Sequence, residues 1–115
     1  MSIHFSVKNL IDLQEEVNKK IDDLKISNYE PNIIAVSKTF SMEKIKPLIE
    51  YGHIHFGENK VQEAVEKWTN EKEKNPDICL HMIGKLQSNK VKFAVKLFDY
   101  IHSVDSIKLA KKIAE

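Results

Sequence analysis

Short apolar runs alternate with longer amphipathic segments through most of the chain, and this alternation limits the fold more than any other feature of the sequence. The runs are rich in β-branched residues, as is typical of strands buried on both faces of a parallel sheet. The segments between them repeat apolar residues at three- and four-residue steps, which indicates helices with one packed face. Strands joined by single helices predict right-handed βαβ crossovers and a parallel sheet.

A helix is predicted before this alternation begins. Ser6 is its predicted N-cap, and the apolar positions that follow form one face: Val7, Leu10, Leu13, Val17, Ile21 and Leu24. The predicted strands occupy residues 32–37, 53–56, 78–83 and 100–104, and Gly57 is expected to break the second. Helices are predicted over 41–51 and from residue 61 to a charged connection at 70–77. A further helix is predicted after Ser88, with Val91, Val95 and Phe98 facing inward, and a last one begins at residue 107.

The length of the chain sets the size of the fold. Its 115 residues fit one domain, in which residues 1–30 form the leading helix and turn and residues 31–115 form four βα units. An eight-stranded βα barrel typically takes about 200 residues or more, and the last predicted helix reaches Glu115 without a stop signal. The sequence therefore predicts an α/β fold in which a leading helix precedes half of a TIM-barrel-like structure. A small open sheet of four strands is the alternative.

The charge and cysteine content exclude several classes of function. With 18 basic and 17 acidic residues, the net charge of +1 gives no electrostatic preference for nucleic acids or acidic membranes. No apolar run is long enough to cross a bilayer, and residues 1–5 do not resemble a signal peptide. A single cysteine, Cys79, rules out an internal disulfide framework, so we expect a cytoplasmic protein. Because every basic residue is lysine, no guanidinium is present to hold an anion.

Ligands of parallel α/β folds bind at the carboxyl ends of the strands, so the residues there are the candidates for chemistry. Lys38 follows the first predicted strand and would project into the mouth of a largely apolar interior, where partial desolvation favours a neutral amine that attacks carbonyls. The alternative is that Lys38 extends into solvent. Asn59 offers an amide to a ring substituent or caps the next helix, and Glu58 is either a ligand contact or a first-turn charge.

The residue pattern favours neither a nucleotide-binding loop nor a metal site. The segment 84–90 resembles a phosphate-binding loop, but Asn89 replaces its second glycine and Val91 replaces the Ser or Thr that would hold magnesium, so we reject nucleotide binding of that kind. The predicted strands carry four histidines: His53, His55, His81 and His102. No cysteine or carboxylate completes a recognisable zinc spacing with them, so we predict no metal site and interpret Cys79 as a small core residue.

Three of the strand ends carry motifs that resemble the pyridoxal phosphate homeostasis proteins, the YggS/PROSC family. The motifs are AVSKT at 35–39, FGENKVQEA at 56–64 and HMIGKLQSNK at 81–90, followed by HSVDS at 102–106. They occur in the family's order and spacing, over the N-terminal half of a usual family member. The resemblance implies a TIM-like barrel similar to the N-terminal domain of alanine racemase.

The same resemblance implies a cofactor site. Lys38 matches the lysine of the family's AVSK motif and would form a Schiff base with pyridoxal 5′-phosphate (PLP). Asn59, from the FGEN motif, would lie near the cofactor, and Met82 and Ser103 would line its pocket. Family members are regarded as carriers or regulators of intracellular PLP, a form of vitamin B6, without established turnover. The resemblance thus implies a non-enzymatic protein that is monomeric at full length.

Departures from the family pattern keep two alternatives open. The family's phosphate-binding segment, with serine, glycine and arginine, belongs to its C-terminal half, and Lys85 stands where many relatives carry proline. One alternative is a fold-type III PLP enzyme such as an amino-acid racemase, although none of the three tyrosines falls at a strand carboxyl end to supply a second acid or base. The other is a small α/β binding module whose open sheet is completed by a partner chain or by a second copy.

Overall fold

One parallel sheet of four strands forms the framework of the protein. The computed structural model describes residues 4–24, 32–102 and 113. The strands β1 (Ala35–Val36), β2 (His55–Glu58), β3 (Cys79–Met82) and β4 (Tyr100–Ile101) pair in chain order, and each pair is parallel. The helices are α1 (Phe5–Asp23), α2 (Met42–Tyr51), α3 (Val61–Lys74) and α4 (Val91–Leu97), the last preceded by a 3-10 turn at Ser88–Lys90. This strand order is that of successive units in a βα barrel, which confirms the predicted half barrel.

The core lies between one face of the sheet and the helices. Its centre is Trp68 of α3, whose ring centroid lies 4.9 Å from that of Phe56 in β2, and both side chains are fully buried. Val61, Ala64 and Trp68 recur at three- and four-residue steps and turn one face of α3 toward the sheet. The other members of the core are Ile45, Ile78, Leu80, Met82, Leu86, Val91, Ala94, Leu97 and Phe98.

The opposite face of the sheet is only partly covered by the residues that the structure describes. Successive residues of a strand point to opposite faces, so the neighbours of the core positions lie here. Val36 and Tyr100 are 48% and 57% exposed on this side. We call it the open face, and by alternation it consists of Ile34, Val36, His55, Gly57, Cys79, His81, Ile83, Tyr100 and His102.

Gly57 lies inside β2 instead of breaking it, which corrects the strand predicted at 53–56. A Cβ atom on Gly57 would come within 3.0 Å of Ile34 Cγ2 and of Ile83 Cδ1. Both isoleucines flank neighbouring strands of the sheet. Glycine is needed here because these two side chains leave no room for a Cβ atom, and not because the chain turns.

Two helices differ from their predicted limits. His4 caps α1 in place of Ser6, because its Nδ1 accepts the Ser6 N–H at 3.2 Å. Helix α3 continues to Lys74, through part of the predicted charged connection. Glu71 is buried on that extension, and the Asn75 side chain donates to its carbonyl at 3.3 Å and thereby closes the last turn.

The buried faces of α1 and α4 are also narrower than predicted. In α4 Val95 is exposed, and the packed positions follow three-residue steps through Val91, Ala94 and Leu97. In α1 the predicted apolar face is buried near its start, at Val7 and Leu10, whereas Val17 and Ile21 are half-buried and the predicted positions Leu13 and Leu24 are exposed.

None of the described helices has an apolar stretch long enough to cross a bilayer. Of the helix predicted from residue 107, the structure describes Ile113, which is helical, and the predicted cofactor residue Ser103 lies outside the described residues.

Candidate functional site

The backbone on the N-terminal side of Lys38 is fixed by contacts from β2 and α3. The Ser37 N–H donates to the Gly57 carbonyl at 2.9 Å and thereby extends the β1–β2 ladder by one residue. The buried Ser37 hydroxyl donates to the Glu58 carboxylate, and Lys67 Nζ donates to the Ser37 carbonyl at 2.6 Å. All the polar groups of Ser37 are therefore bonded, and the residue is held to its neighbours in the sheet and to α3.

The backbone on the other side of Lys38 is held by α3. Thr39 has a φ of 66°, in the left-handed region, and its N–H donates to Glu63 Oε1 at 2.6 Å. Burial alone would raise the pKa of Glu63, but the Thr39 N–H and the nearby Lys67 and Lys60 together lower it. The carboxylate is thus kept ionised where it anchors the turn. The backbone on both sides of Lys38 is consequently held in place by hydrogen bonds.

The Lys38 side chain itself extends into solvent. It is exposed and, among the described residues, has no hydrogen-bond or ion-pair partner. Lys38 lies in the turn that follows β1, at the carboxyl edge of the sheet. Lys38 thus follows the first strand, but its side chain is exposed and lacks, among the described residues, the partial desolvation predicted for the amine.

Glu58 is neither the first-turn charge nor the ligand contact that were the two interpretations of the sequence. It is the last residue of β2, fully buried on the helix side, where its Oε2 accepts the Trp68 indole N–H at 3.1 Å. Lys67 Nζ lies 2.9 Å from the same oxygen. This buried ion pair supports Ser37, and no local sequence motif indicates it, since the partners come from β1, β2 and α3.

Asn59 and Met82 come together at a cavity of about 400 Å³ at the carboxyl ends of β2 and β3. Lys60 and Lys85 also line this cavity, whereas Lys38 does not. Asn59 does not cap α3, because the N-cap residue is Lys60 and has no side-chain cap bond. Instead, Asn59 Oδ1 is buried without a hydrogen-bond partner among the described residues.

A second cavity, of about 480 Å³, lies on the other side of β1, between the start of α1 and α2. Its lining is mostly apolar and includes Phe5, Val36 and Phe40. Lys44 also lines this cavity. Because polar groups fix the orientation of a charged ligand, the cavity beside Asn59 is the better candidate for an anionic cofactor although it is smaller.

Gly84 brings the end of β3 against the Asn59 peptide. A Cβ atom at this position would lie 2.7 Å from both the Asn59 carbonyl oxygen and the Asn59 Cβ.

We expect Gly84→Ala to lower the free energy of unfolding by about 1–3 kcal/mol, since the backbone must shift to relieve this overlap. Urea denaturation measures the change. Gly52→Asn is the control, because Gly52 has a φ of 107° and open space around its Cβ position, and asparagine tolerates that conformation. Equal losses in the two variants would contradict the close approach.

The middle of the open face carries a row of histidines that crosses three strands. His55 Nδ1 lies 3.1 Å from His81 Nε2, and His81 Nδ1 lies 2.9 Å from His102 Nε2. Burial lowers the pKa of His81, and the neighbouring His55 and His102 lower it further.

Cys79 lies beside this row and is half-buried, so its interpretation as a core residue is wrong. Burial, with a contribution from Asp99, raises the pKa of its thiol.

No model of a known protein family matches the sequence, but individual proteins resemble it over most of its length. It is 36% identical over 108 residues to the pyridoxal phosphate homeostasis protein of Pasteurella multocida (strain Pm70), a match that covers 94% of this chain and 46% of that protein. It is 44% identical over 98 residues to the protein of the same name from Buchnera aphidicola subsp. Schizaphis graminum, covering 82% and 42% respectively. The chain thus spans about half the length of the curated relatives that it matches.

Solved structures resemble the chain to a similar extent. PipY of Synechococcus elongatus PCC7942, solved with PLP bound, superposes with a TM-score of 0.66 at 43% identity and covers 83% of this chain and 45% of PipY. An unknown protein from Bifidobacterium adolescentis superposes with a TM-score of 0.82 at 27% identity and covers 93% of this chain and 47% of that one. By sequence and by fold, the chain resembles the pyridoxal phosphate homeostasis proteins over about half of their length.

Proposed function

We propose that this chain binds PLP through a Schiff base on Lys38 and serves PLP homeostasis without catalysing a reaction. The observation that carries the proposal is the Lys38 amine, exposed on a peptide that Ser37 and Thr39 fix at both ends. A fixed backbone limits where the amine can reach, and an unpaired amine is available to a carbonyl. The PLP bound to PipY and the names of the curated relatives support the choice of carbonyl compound.

Residues at the carboxyl ends of β2 and β3 fit such a cofactor. The buried Asn59 Oδ1 has no partner among the described residues and would accept a hydrogen bond from a polar group of a ring. Lys60 adds positive charge to the same cavity, which suits an anionic ligand. Met82 contributes an apolar wall there. When bound, PLP supplies an aldehyde that condenses with an amine, and we assign that amine to Lys38, which follows the neighbouring strand β1.

The non-catalytic part of the proposal is supported by the names of the relatives, which describe homeostasis and not an enzymatic reaction. A racemase would need a second acid or base opposite the lysine. Of the tyrosines that the structure describes, Tyr51 ends α2 and Tyr100 begins β4, so neither lies at a strand carboxyl end. We also propose a cytoplasmic location, since the free thiol of Cys79 suits a reducing compartment.

The test is the absorbance of the Schiff base when PLP is added to the chain. We expect a band in the wild-type protein, and we expect borohydride to fix the cofactor on Lys38, as peptide mass spectrometry would show. Lys38→Ala should reduce the band to the level given by surface lysines. Lys44→Ala is the matched control, because Lys44 is also exposed but lies on α2. A band that Lys38→Ala leaves unchanged would disprove the role of Lys38.

A second measurement separates the homeostasis role from racemisation. The PLP-loaded chain is incubated with L-alanine in deuterated water, and exchange at the α-carbon is followed by NMR. We expect no more exchange than free PLP gives at the same concentration. Exchange at an enzyme-like rate that disappears in Lys38→Ala would show that the chain is an enzyme.

A further inference from the structure

Three side chains on the open face form a cluster with the composition of a metal site. They are His55 of β2 and Cys79 and His81 of β3, and each offers one ligand atom within 4.8 Å of the other two. His55 and Cys79 are directly opposite each other in the sheet register, and Cys79 and His81 are two residues apart on one strand. All three side chains therefore project to the same face. Pairing of the two strands is what assembles the cluster.

We propose that His55, Cys79 and His81 bind a divalent transition-metal ion, of which Zn²⁺ is the chemical match. Two imidazoles and one thiolate are nitrogen and sulfur ligands, which favour zinc over the oxygen-seeking ions magnesium and calcium. On binding, the metal–sulfur bond replaces the S–H bond of Cys79, and the proton passes to water. Three protein ligands leave a fourth tetrahedral position for water or another small ligand.

The distance between the two histidines fits a shared ion. His55 Nδ1 and His81 Nε2 are 3.1 Å apart. Two nitrogen ligands at about 2.0–2.1 Å from a tetrahedral zinc ion lie roughly 3.3 Å apart, so little movement is needed to admit the metal. His55 and Cys79 are half-buried, which leaves the ion a path from solvent.

His102 orients one of the ligands. Its Nε2 lies 2.9 Å from His81 Nδ1, and when His81 donates that proton its Nε2 is left unprotonated toward His55. Metal-binding histidines commonly donate their second N–H in this way, which fixes the ring and its tautomer. Tyr100 stacks on His81 at a centroid distance of 5.0 Å and limits rotation of the ring further. His102 is thus a positioning residue for the site.

Cobalt(II) titration of the full chain, in the absence of PLP, tests the proposal. Because Cys79 is the single cysteine, a sulfur-to-cobalt charge-transfer band in the near ultraviolet can arise only from this residue. We expect the band at one cobalt per chain, its displacement by Zn²⁺, and its loss in Cys79→Ser. His102→Ala should keep the band and weaken affinity about 10–100-fold. His4→Gln is the control, because this histidine lies outside the cluster and should leave the affinity unchanged.

A second measurement uses only the wild-type chain and does not depend on the folding of variants. Zn²⁺ should slow the reaction of the Cys79 thiol with a thiol reagent, and a chelator should restore the original rate. Equal rates with and without Zn²⁺, or the absence of a sulfur-to-cobalt band in the wild-type chain, would overturn the proposal. Lys38 takes no part in either measurement, so the result is independent of the proposed PLP site.

Discussion

Replacing Trp68 by alanine should lower the free energy of unfolding by about 3–5 kcal/mol, the range measured when a large aromatic residue is removed from a protein core. The indole is fully buried and contacts the Phe56 ring. It also donates its N–H to Glu58 Oε2 at 3.1 Å. The alanine variant would therefore leave a cavity and also deprive a buried carboxylate of a donor.

Urea denaturation followed by circular dichroism measures this loss. Phe93→Ala is the control, because Phe93 lies on α4 with half of its surface exposed, and a substitution at such a position usually changes stability by less than about 0.5 kcal/mol. Trp68→Phe keeps a smaller aromatic ring but removes the N–H together with the five-membered ring of the indole, so its loss should fall between the other two. If Trp68→Ala were no more destabilising than Phe93→Ala, the packing of α3 on the sheet would be wrong.

The architecture could be predicted because it follows from local patterns. Apolar residues at helical steps define α3 and its packed face, and short β-branched runs define the strands. The limits of β2 were predicted wrongly because Gly57 is a common turn residue. Its actual role depends on Ile34 and Ile83, which are distant in sequence and approach only once the sheet has formed.

The candidate site was predictable to a lesser extent. Lys38 could be placed because its position at the end of an apolar run is a local property of the sequence. The contacts that fix its backbone could not, since Glu63 and Lys67 reach it only through the packing of α3 beside β1. That packing is a tertiary property, and no spacing along the chain encodes it.

The cluster of His55, Cys79 and His81 was missed for a related reason. Zinc motifs are recognised by short spacings between ligands, and here one ligand lies on a different strand from the other two. Alternation along β3 does place Cys79 and His81 on one face, so two of the three members of the cluster could be grouped from the sequence. The third member, His55, could not be added because it lies opposite Cys79 only through the register of β2 and β3, which the sequence does not give.

Removing the Glu58 carboxylate should be as costly as removing Trp68. Glu58 is fully buried and pairs with Lys67, which is only 13% exposed, at 2.9 Å. Deleting one partner of such a pair typically costs about 3–5 kcal/mol, because the other charge remains buried without compensation. We therefore expect Glu58→Ala to lower the free energy of unfolding by that amount, as measured by urea denaturation.

A double-mutant cycle shows whether the loss belongs to the ion pair. Glu58→Leu combined with Lys67→Met replaces both charges by apolar groups of similar size, and such replacements of buried pairs are often neutral or stabilising. The double variant should thus be more stable than Glu58→Leu alone, although Ser37 and Trp68 then lose an acceptor. Additive losses from the two single substitutions would mean that the charges do not interact. In that case Lys67 would act mainly through its bond to the Ser37 carbonyl, and the support of the Lys38 turn would not require Glu58 to be charged.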